Sequence, residues 1–268
     1  MRSAINIFGI DIPMFGILVV CATVLAWTMI VTIAKKTNKF NTSDATYSFL
    51  IGMCGGVIGA CTIRPSMKLI EVILFWEHYQ TVSVGELADY MMGEFVFFGG
   101  LLGGMIAVFL FCKKFKIRIL PLFDLAAPAL ALGHSIGRIG CFFGGCCYGI
   151  EVSHENIFSI IYPPDSLIAP SGVPLLAIPL IEAVFLLVLA IILTVVYFNT
   201  NRNGICATIY LLTYSVGRFI IEFFRGDAIR GNYGLLTTSQ YISIAIFIFG
   251  IVYFISAILL RPVQAVHN

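Results

Sequence analysis

Ile12 to Ala34 is an apolar run long enough to cross a bilayer, and it stops abruptly at Lys35, Lys36 and Lys39. The pattern recurs along the chain, with apolar stretches at 47–63, 94–112, 122–146, 174–198, 206–224 and 240–260. Backbone that enters hydrocarbon must satisfy its own hydrogen bonds, so runs of this length predict α-helices. The expected fold is therefore an all-α polytopic membrane protein of seven transmembrane helices. The piece from Met67 to Tyr79 carries Lys68, Glu71, Glu77 and His78, too polar to span, and is expected to lie along the membrane surface as a separate helix.

Composition agrees, with 59% apolar and only 11% charged residues over 268 positions, against roughly 25% charged in an ordinary soluble domain. A net charge of +2 gives no footprint for nucleic acid. With the N-terminus outside, nine basic residues (Lys35, Lys36, Lys39, Lys113, Lys114, Lys116, Arg118, Arg202 and Arg261) fall on short inner segments. Five (Arg2, Arg64, Lys68, Arg225 and Arg230) fall on outer ones. This bias predicts an outer N-terminus and an inner C-terminus. No repeat or low-complexity tract divides the chain, which reads as a single integral membrane domain over 1–268, with extramembrane segments near 64–93 and 149–175.

The chemistry is concentrated in two places. Gly133 to Gly149, GHSIGRIGCFFGGCCYG, sets Arg138, His134 and three cysteines into a run that otherwise reads as membrane. A charge there costs roughly 2.5 to 3.5 kcal/mol, so Arg138 needs a partner, a cavity or an anionic ligand. The sixth span reads YSVGRFIIEFFRGD, and Arg218 and Glu222, four residues apart, share one helical face. Two readings are open. The pair neutralises itself, or Arg218 and Arg138 surround an anionic headgroup with Glu222 orienting one of them or acting as base; forked guanidinium groups suit a phosphodiester. Glu182, inside the fifth span, needs an arginine or a proton, and Asp124 is placed to cap the start of the fourth helix.

These motifs carry a family resemblance. GRIG in the fourth span, FFGGLLGG in the third, GRFIIEFFRGD in the sixth, an IPMFGILV start to the first and LIEA at Leu180 to Ala183 resemble the prolipoprotein diacylglyceryl transferases of bacteria. The resemblance implies a plasma-membrane enzyme that moves the diacylglyceryl group of phosphatidylglycerol onto the lipobox cysteine thiol of a preprolipoprotein at the outer leaflet, with no metal or soluble cofactor. It assigns catalytic roles to Arg138, Arg218 and Glu222. Substrate contacts are expected from Gly99, Gly100, Gly140, Cys141, Gly149 and Arg225.

The chain also departs from the family pattern. Phe98 stands where the family commonly has histidine, Cys141 where it has asparagine, Cys146 at a glutamate and Phe15 at a tyrosine. Either the family reaction persists with its proton-transfer role moved, or the acceptor or donor has changed. His134, one helical turn before Arg138, is the candidate general base; the rival reading is a structural histidine bonded to a neighbouring helix. For the cysteines, a metal site with His134, a thiol nucleophile, a disulfide and simple helix packing are all open, although C-x4-C-C is not a usual zinc spacing. A non-enzymatic anion permease is the alternative from another class.

Overall fold

The computed structural model describes residues 4–7, 10–74, 97–164, 166, 168–226, 232–233 and 236–255. Its helices are α1 (Met14–Thr37), α2 (Thr42–Leu74), α3 (Phe97–Phe115), α4 (Ile119–Gly144), α5 (Ile178–Asn199), α6 (Ile205–Glu222) and α7 (Thr238–Phe254). Seven helices thus lie among the described residues. Among the described residues five stretches are long and apolar enough to cross a membrane: α1, residues Thr42–Thr62 of α2, α4, α5 and α6.

Among the described residues three short antiparallel ribbons lie outside the helices, none of which the hydropathy pattern announces. They pair β1 (Ala4–Ile7) with β2 (Ile10–Pro13), β3 (Ser159–Ile160) with β4 (Leu175–Leu176), and β5 (Asn232–Tyr233) with β6 (Leu236–Thr237). Another difference lies at Pro65, where a break is expected and α2 instead continues to Leu74. Proline fixes a φ that a helix accepts and costs chiefly one carbonyl's partner, which membrane helices tolerate. The separate helix expected from Met67 is therefore the continuation of α2, and its remainder to Tyr79 lies outside the described residues.

The faces of α5 show why water is the wrong solvent for this chain. Val184, Leu187, Val188, Ile191, Ile192 and Val195 form an exposed stripe, while Leu186, Leu189, Ala190 and Leu193 are buried. Both faces are apolar, so the helix is stable only where its outer stripe also meets an apolar medium.

The chain divides into two compact units, Met1–Lys39 with Leu120–Asn268, and Phe40–Ile119. In the second unit α2 and α3 are antiparallel and meet glycine to glycine. A Cβ added to Gly103 would lie 2.8 Å from Gly59 Cα, and one added to Gly59 would lie 2.9 Å from Gly103 Cα. Gly99 and Gly100 belong to the same seam, and a Cβ on Gly100 would approach Gly56 O to 3.3 Å. In hydrocarbon there is no hydrophobic drive between helices, so this close backbone approach supplies the van der Waals contact that holds the pair.

The first unit is fastened at the end where α1 and α5 finish and α6 begins. The Lys39 ammonium donates to the carbonyls of Thr200 at 2.6 Å and Tyr197 at 3.2 Å, where α5 leaves unpaired acceptors. Asp124 does not cap its own helix. It lies buried inside α4, where it accepts from the backbone N–H groups of Gly204 and, at 2.9 Å, Ala207. Gly204 precedes α6 with φ of 96°, a conformation glycine adopts freely, but it has no side chain with which to cap. Asp124 supplies the missing cap from the neighbouring helix, and so fixes where α6 starts.

Asp124→Ala should lower stability by about 1–2 kcal/mol, the cost of a lost helix cap, read as a lower Tm of the detergent-solubilised protein. An unchanged Tm would show that α6 is positioned by other contacts. Gly103→Ala should cost about 1–3 kcal/mol by overpacking. Gly56→Ala, whose Cβ would meet Gly100 O at an ordinary 3.4 Å, should be tolerated. Equal effects of these two substitutions would rule out the seam as the packing determinant.

Candidate active site

Charged side chains buried in an apolar helix bundle must converge on one another, because each unpaired ion costs several kcal/mol. α4, α5 and α6 do this. Arg138 Nη2 of α4 lies 2.9 Å from Glu182 Oε1 of α5, and the other oxygen of Glu182 lies 3.7 Å from Arg218 Nη1 of α6. Arg218 Nη2 closes on Glu222 Oε2 at 2.7 Å one turn along its own helix, as the four-residue spacing predicts. Arg225 Nε stands 3.9 Å from the same Glu222 oxygen. Among the five side chains, Arg138 at 13% is the most exposed.

Glu182 is therefore the member that joins the two arginines, through one of the two routes its sequence position left open. α7 completes the surround. Arg218 Nη2 also donates to Ser239 Oγ at 3.2 Å, and the Thr237 hydroxyl donates to Glu222 Oε1 at 3.0 Å. Thr237 is itself the N-cap of α7, accepting from Gln240 N in a reciprocal capping box, so the hydroxyl that starts this helix also holds the glutamate. Thr237 and Ser239 went unnoticed in the sequence; TTSQ is a legible cap signal, but nothing local reports its neighbour.

Among the described residues, three arginines facing two carboxylates leave one positive charge in the cluster. Two buried donors, Arg138 Nε and Arg218 Nη1, find no hydrogen-bond acceptor among the described residues. The arrangement suits a monoanion with several acceptor oxygens. A Cβ on Gly137, the residue before Arg138, would meet nothing within 4 Å.

His134 lies one turn before Arg138, and its ring centroid is 5.1 Å from that of Tyr214, which stacks in turn on Tyr210 at 5.8 Å. Sequence reading missed both tyrosines, which resemble any other aromatic residue in a membrane helix. Of the other predicted substrate contacts, Gly140 receives the ring of Phe15, whose Cδ2 would lie 3.0 Å from an added Cβ. Gly149 N donates to Leu176 O at 2.9 Å, and a Cβ there would come within 2.7 Å of both Leu176 and Ile178. Gly149 also bridges to Arg225, so its closeness to β4 helps to seat that arginine at the end of α6. Gly99 and Gly100 serve the α2–α3 seam, and the side chain of Phe98 lies outside the described residues.

The cysteines gather where α4 ends. Gly145 takes a left-handed φ of 64°, which lets its N–H reach Phe142 O at 3.2 Å and brings Cys146 N to Cys141 O at 3.1 Å. This pair of bonds is a Schellman turn, and it folds Cys146 back over Cys141. Cys147 follows with φ of 61°, so a second left-handed residue turns the chain again. The three sulfurs then lie within 4.8 Å of one another. His134 is not part of that group. No disulfide is present among the described residues, and all three side chains are thiols. Hydrogen bonds from Cys141 and Cys146, then the nearby Arg225 and Arg138, hold the Cys147 thiol below the ordinary thiol range.

A family model described as prolipoprotein diacylglyceryl transferase matches residues 2–256. The phosphatidylglycerol–prolipoprotein diacylglyceryl transferase 2 of Clostridium perfringens is 35% identical over 252 residues, covering 92% of this chain and 91% of its own. Enzymes of the same name from Clostridium tetani and Finegoldia magna are 32% and 29% identical, each over at least 93% of both chains. With the match running through both compact units and every helix described, this chain belongs to the prolipoprotein diacylglyceryl transferases, a family of membrane enzymes.

Proposed function

We propose that this chain transfers the diacylglyceryl group of phosphatidylglycerol to the cysteine thiol of a lipobox-containing lipoprotein precursor, at the outer leaflet of the bacterial plasma membrane. The observation that carries this reading is the buried cluster of Arg138, Arg218 and Arg225 against Glu182 and Glu222, one positive charge in excess with two guanidinium donors unspent. A phosphodiester headgroup brings one negative charge and several acceptor oxygens. The names of the relatives support a lipid donor over the transport of a soluble anion.

In this reading the acceptor thiol loses its proton and the thiolate attacks the terminal glycerol carbon of the diacylglyceryl group. The carbon–sulfur bond forms as the bond from that carbon to the phosphate oxygen breaks, and the electron pair leaves with glycerol phosphate. Arg138 and Arg218 face the charge that grows on the leaving phosphate, which is where fixed donors lower a barrier most. Glu182 holds the two guanidinium groups before substrate arrives, so less reorganisation remains for the reaction. His134, a turn from Arg138 and packed against Tyr214, takes the thiol proton. Substrate contacts come from Gly140, Cys141, Gly149 and Arg225, whereas Gly99 and Gly100 are taken up by the α2–α3 seam. The wider topology is a single membrane domain of seven spans, N-terminus outside and C-terminus inside, with extramembrane segments near 64–93 and 149–175. The bias of basic residues supports that orientation.

Purified protein given radiolabelled phosphatidylglycerol and a cysteine-bearing lipobox peptide should yield thiol-linked diacylglycerol. Arg138→Ala should reduce the rate by about 10²-fold or more, as loss of a transition-state donor does. His134→Ala should lower the rate and remove the acid limb of its pH profile; an unchanged profile would exclude His134 as the base. If label stays in the lipid with the wild-type protein, the proposed acceptor is wrong.

Glu182→Gln leaves Arg138 and Arg218 facing each other without their shared carboxylate and should cost about 3–5 kcal/mol. The fall in Tm should be smaller in nanodiscs containing phosphatidylglycerol than in those of phosphatidylcholine alone. An equal fall in both would show that the lipid anion does not sit at these arginines.

A further inference from the structure

The three thiols at the end of α4 take no part in the bond making above, where Cys141 stands only as a substrate contact. Their convergence is built by the backbone, through the left-handed residues Gly145 and Cys147 and the Schellman turn between them and Cys141. A non-glycine residue at positive φ is uncommon, and such strain tends to persist where it positions a side chain. Sulfurs bound to one zinc ion at ~2.3 Å and tetrahedral angles stand about 3.8 Å apart, so a group already within 4.8 Å needs only small side-chain adjustments.

A second observation points to the same place. Tyr162, from the segment before β4, is 1% exposed, and its buried hydroxyl has no hydrogen-bond partner among the described residues. Its electrostatic neighbours are Cys146, Cys147 and Cys141. A phenol hydroxyl buried without a partner is costly, while the ring itself lies 6.3 Å from that of Phe142. Arg138 and Arg225 also lie close enough to the cluster to offset the negative charge of thiolates.

We propose that Cys141, Cys146 and Cys147, with the Tyr162 hydroxyl beside them, form a binding site for a single thiophilic metal ion of filled d shell, with Zn2+ and Cu+ as the fitting chemistry. Thiolate ligands select such ions over magnesium or calcium. Three thiolates complete a trigonal Cu+ site, while Zn2+ takes one further ligand, for which a phenol or water oxygen suffices. A disulfide fits the cluster less well. Consecutive Cα atoms stand about 3.8 Å apart across a trans peptide, short of the usual disulfide separation of about 4.4–6.8 Å, which disfavours a Cys146–Cys147 bond. Pairing Cys141 with either neighbour strands the third sulfur. Bound metal would tie Cys141, on the turn after Arg138, to the loop that seats Arg225.

The test uses the full-length protein, reduced and stripped with a chelator in detergent. Zn2+, Cu+ and, as a spectroscopic probe, Cd2+ are titrated separately against a competing chromophoric chelator. One ion per chain is expected, with a thiolate-to-metal charge-transfer band for Cd2+. In the wild-type protein the metal should protect Cys141, Cys146 and Cys147 together from alkylation, mapped by peptide mass spectrometry. The exposed Cys21, Cys54 and Cys61 should remain reactive. Cys147→Ser and Cys146→Ser should each weaken binding by about 10- to 100-fold, whereas Cys61→Ser should not. Protection that misses any of the three, or a disulfide between Cys141 and either neighbour in the reduced protein, would overturn the proposal. Since neither readout involves lipid transfer, failure here leaves the transferase reading untouched, and failure of transfer leaves the metal site standing.

Discussion

The structure of the first unit depends on one carboxylate placed between two guanidinium groups. Glu182 is 1% exposed and lies within ion-pair distance of both Arg138 and Arg218, so α4, α5 and α6 cannot separate without leaving bare charge in an apolar interior. Hydrophobic burial cannot hold these helices together, because lipid receives leucine as readily as a neighbouring helix does. Ionic and hydrogen-bonded contacts therefore carry the specificity. Glu222, Ser239 and Thr237 extend the network to α7, and Asp124 ties α4 to the start of α6 at another point of the same bundle.

The two units solve the same problem by opposite means. α2 and α3 remove side chains along their contact, so backbones approach and many weak dispersion contacts add up. α4, α5 and α6 instead place charges inside and pair them. The first device favours a rigid seam. The second concentrates fixed charge at one place with one cation in excess, which is what recognition and expulsion of a phosphate require.

Some of this was legible before any coordinates. Arg218 and Glu222 are a pair because a helix repeats every 3.6 residues, and that period is a local property. The need of Glu182 for a partner followed from the cost of burying a carboxylate, but which arginine it meets depends on how α5 is rotated against α4 and α6. Asp124 shows the limit clearly. An aspartate near the expected start of a helix looks like that helix's own cap, yet its oxygens serve α6, some eighty residues away in sequence. Pro65 likewise looks like a stop, and α2 runs through it. The ribbons β1–β2 and β3–β4 escaped notice because apolar strand residues beside membrane spans give no contrast in hydropathy.

The amino-acid sequence alone determined the solvent, the helical class of the fold, and the residues whose burial demands explanation, because hydropathy, helical period and the cost of charge in hydrocarbon act over a few turns of chain. The tertiary structure alone decided who answers whom: Glu182 between Arg138 and Arg218, Asp124 beneath α6, Tyr162 against three thiols. Those pairings join residues 15 to 83 positions apart. They depend on helix rotation and on two left-handed turns after α4, and no local rule of sequence specifies either.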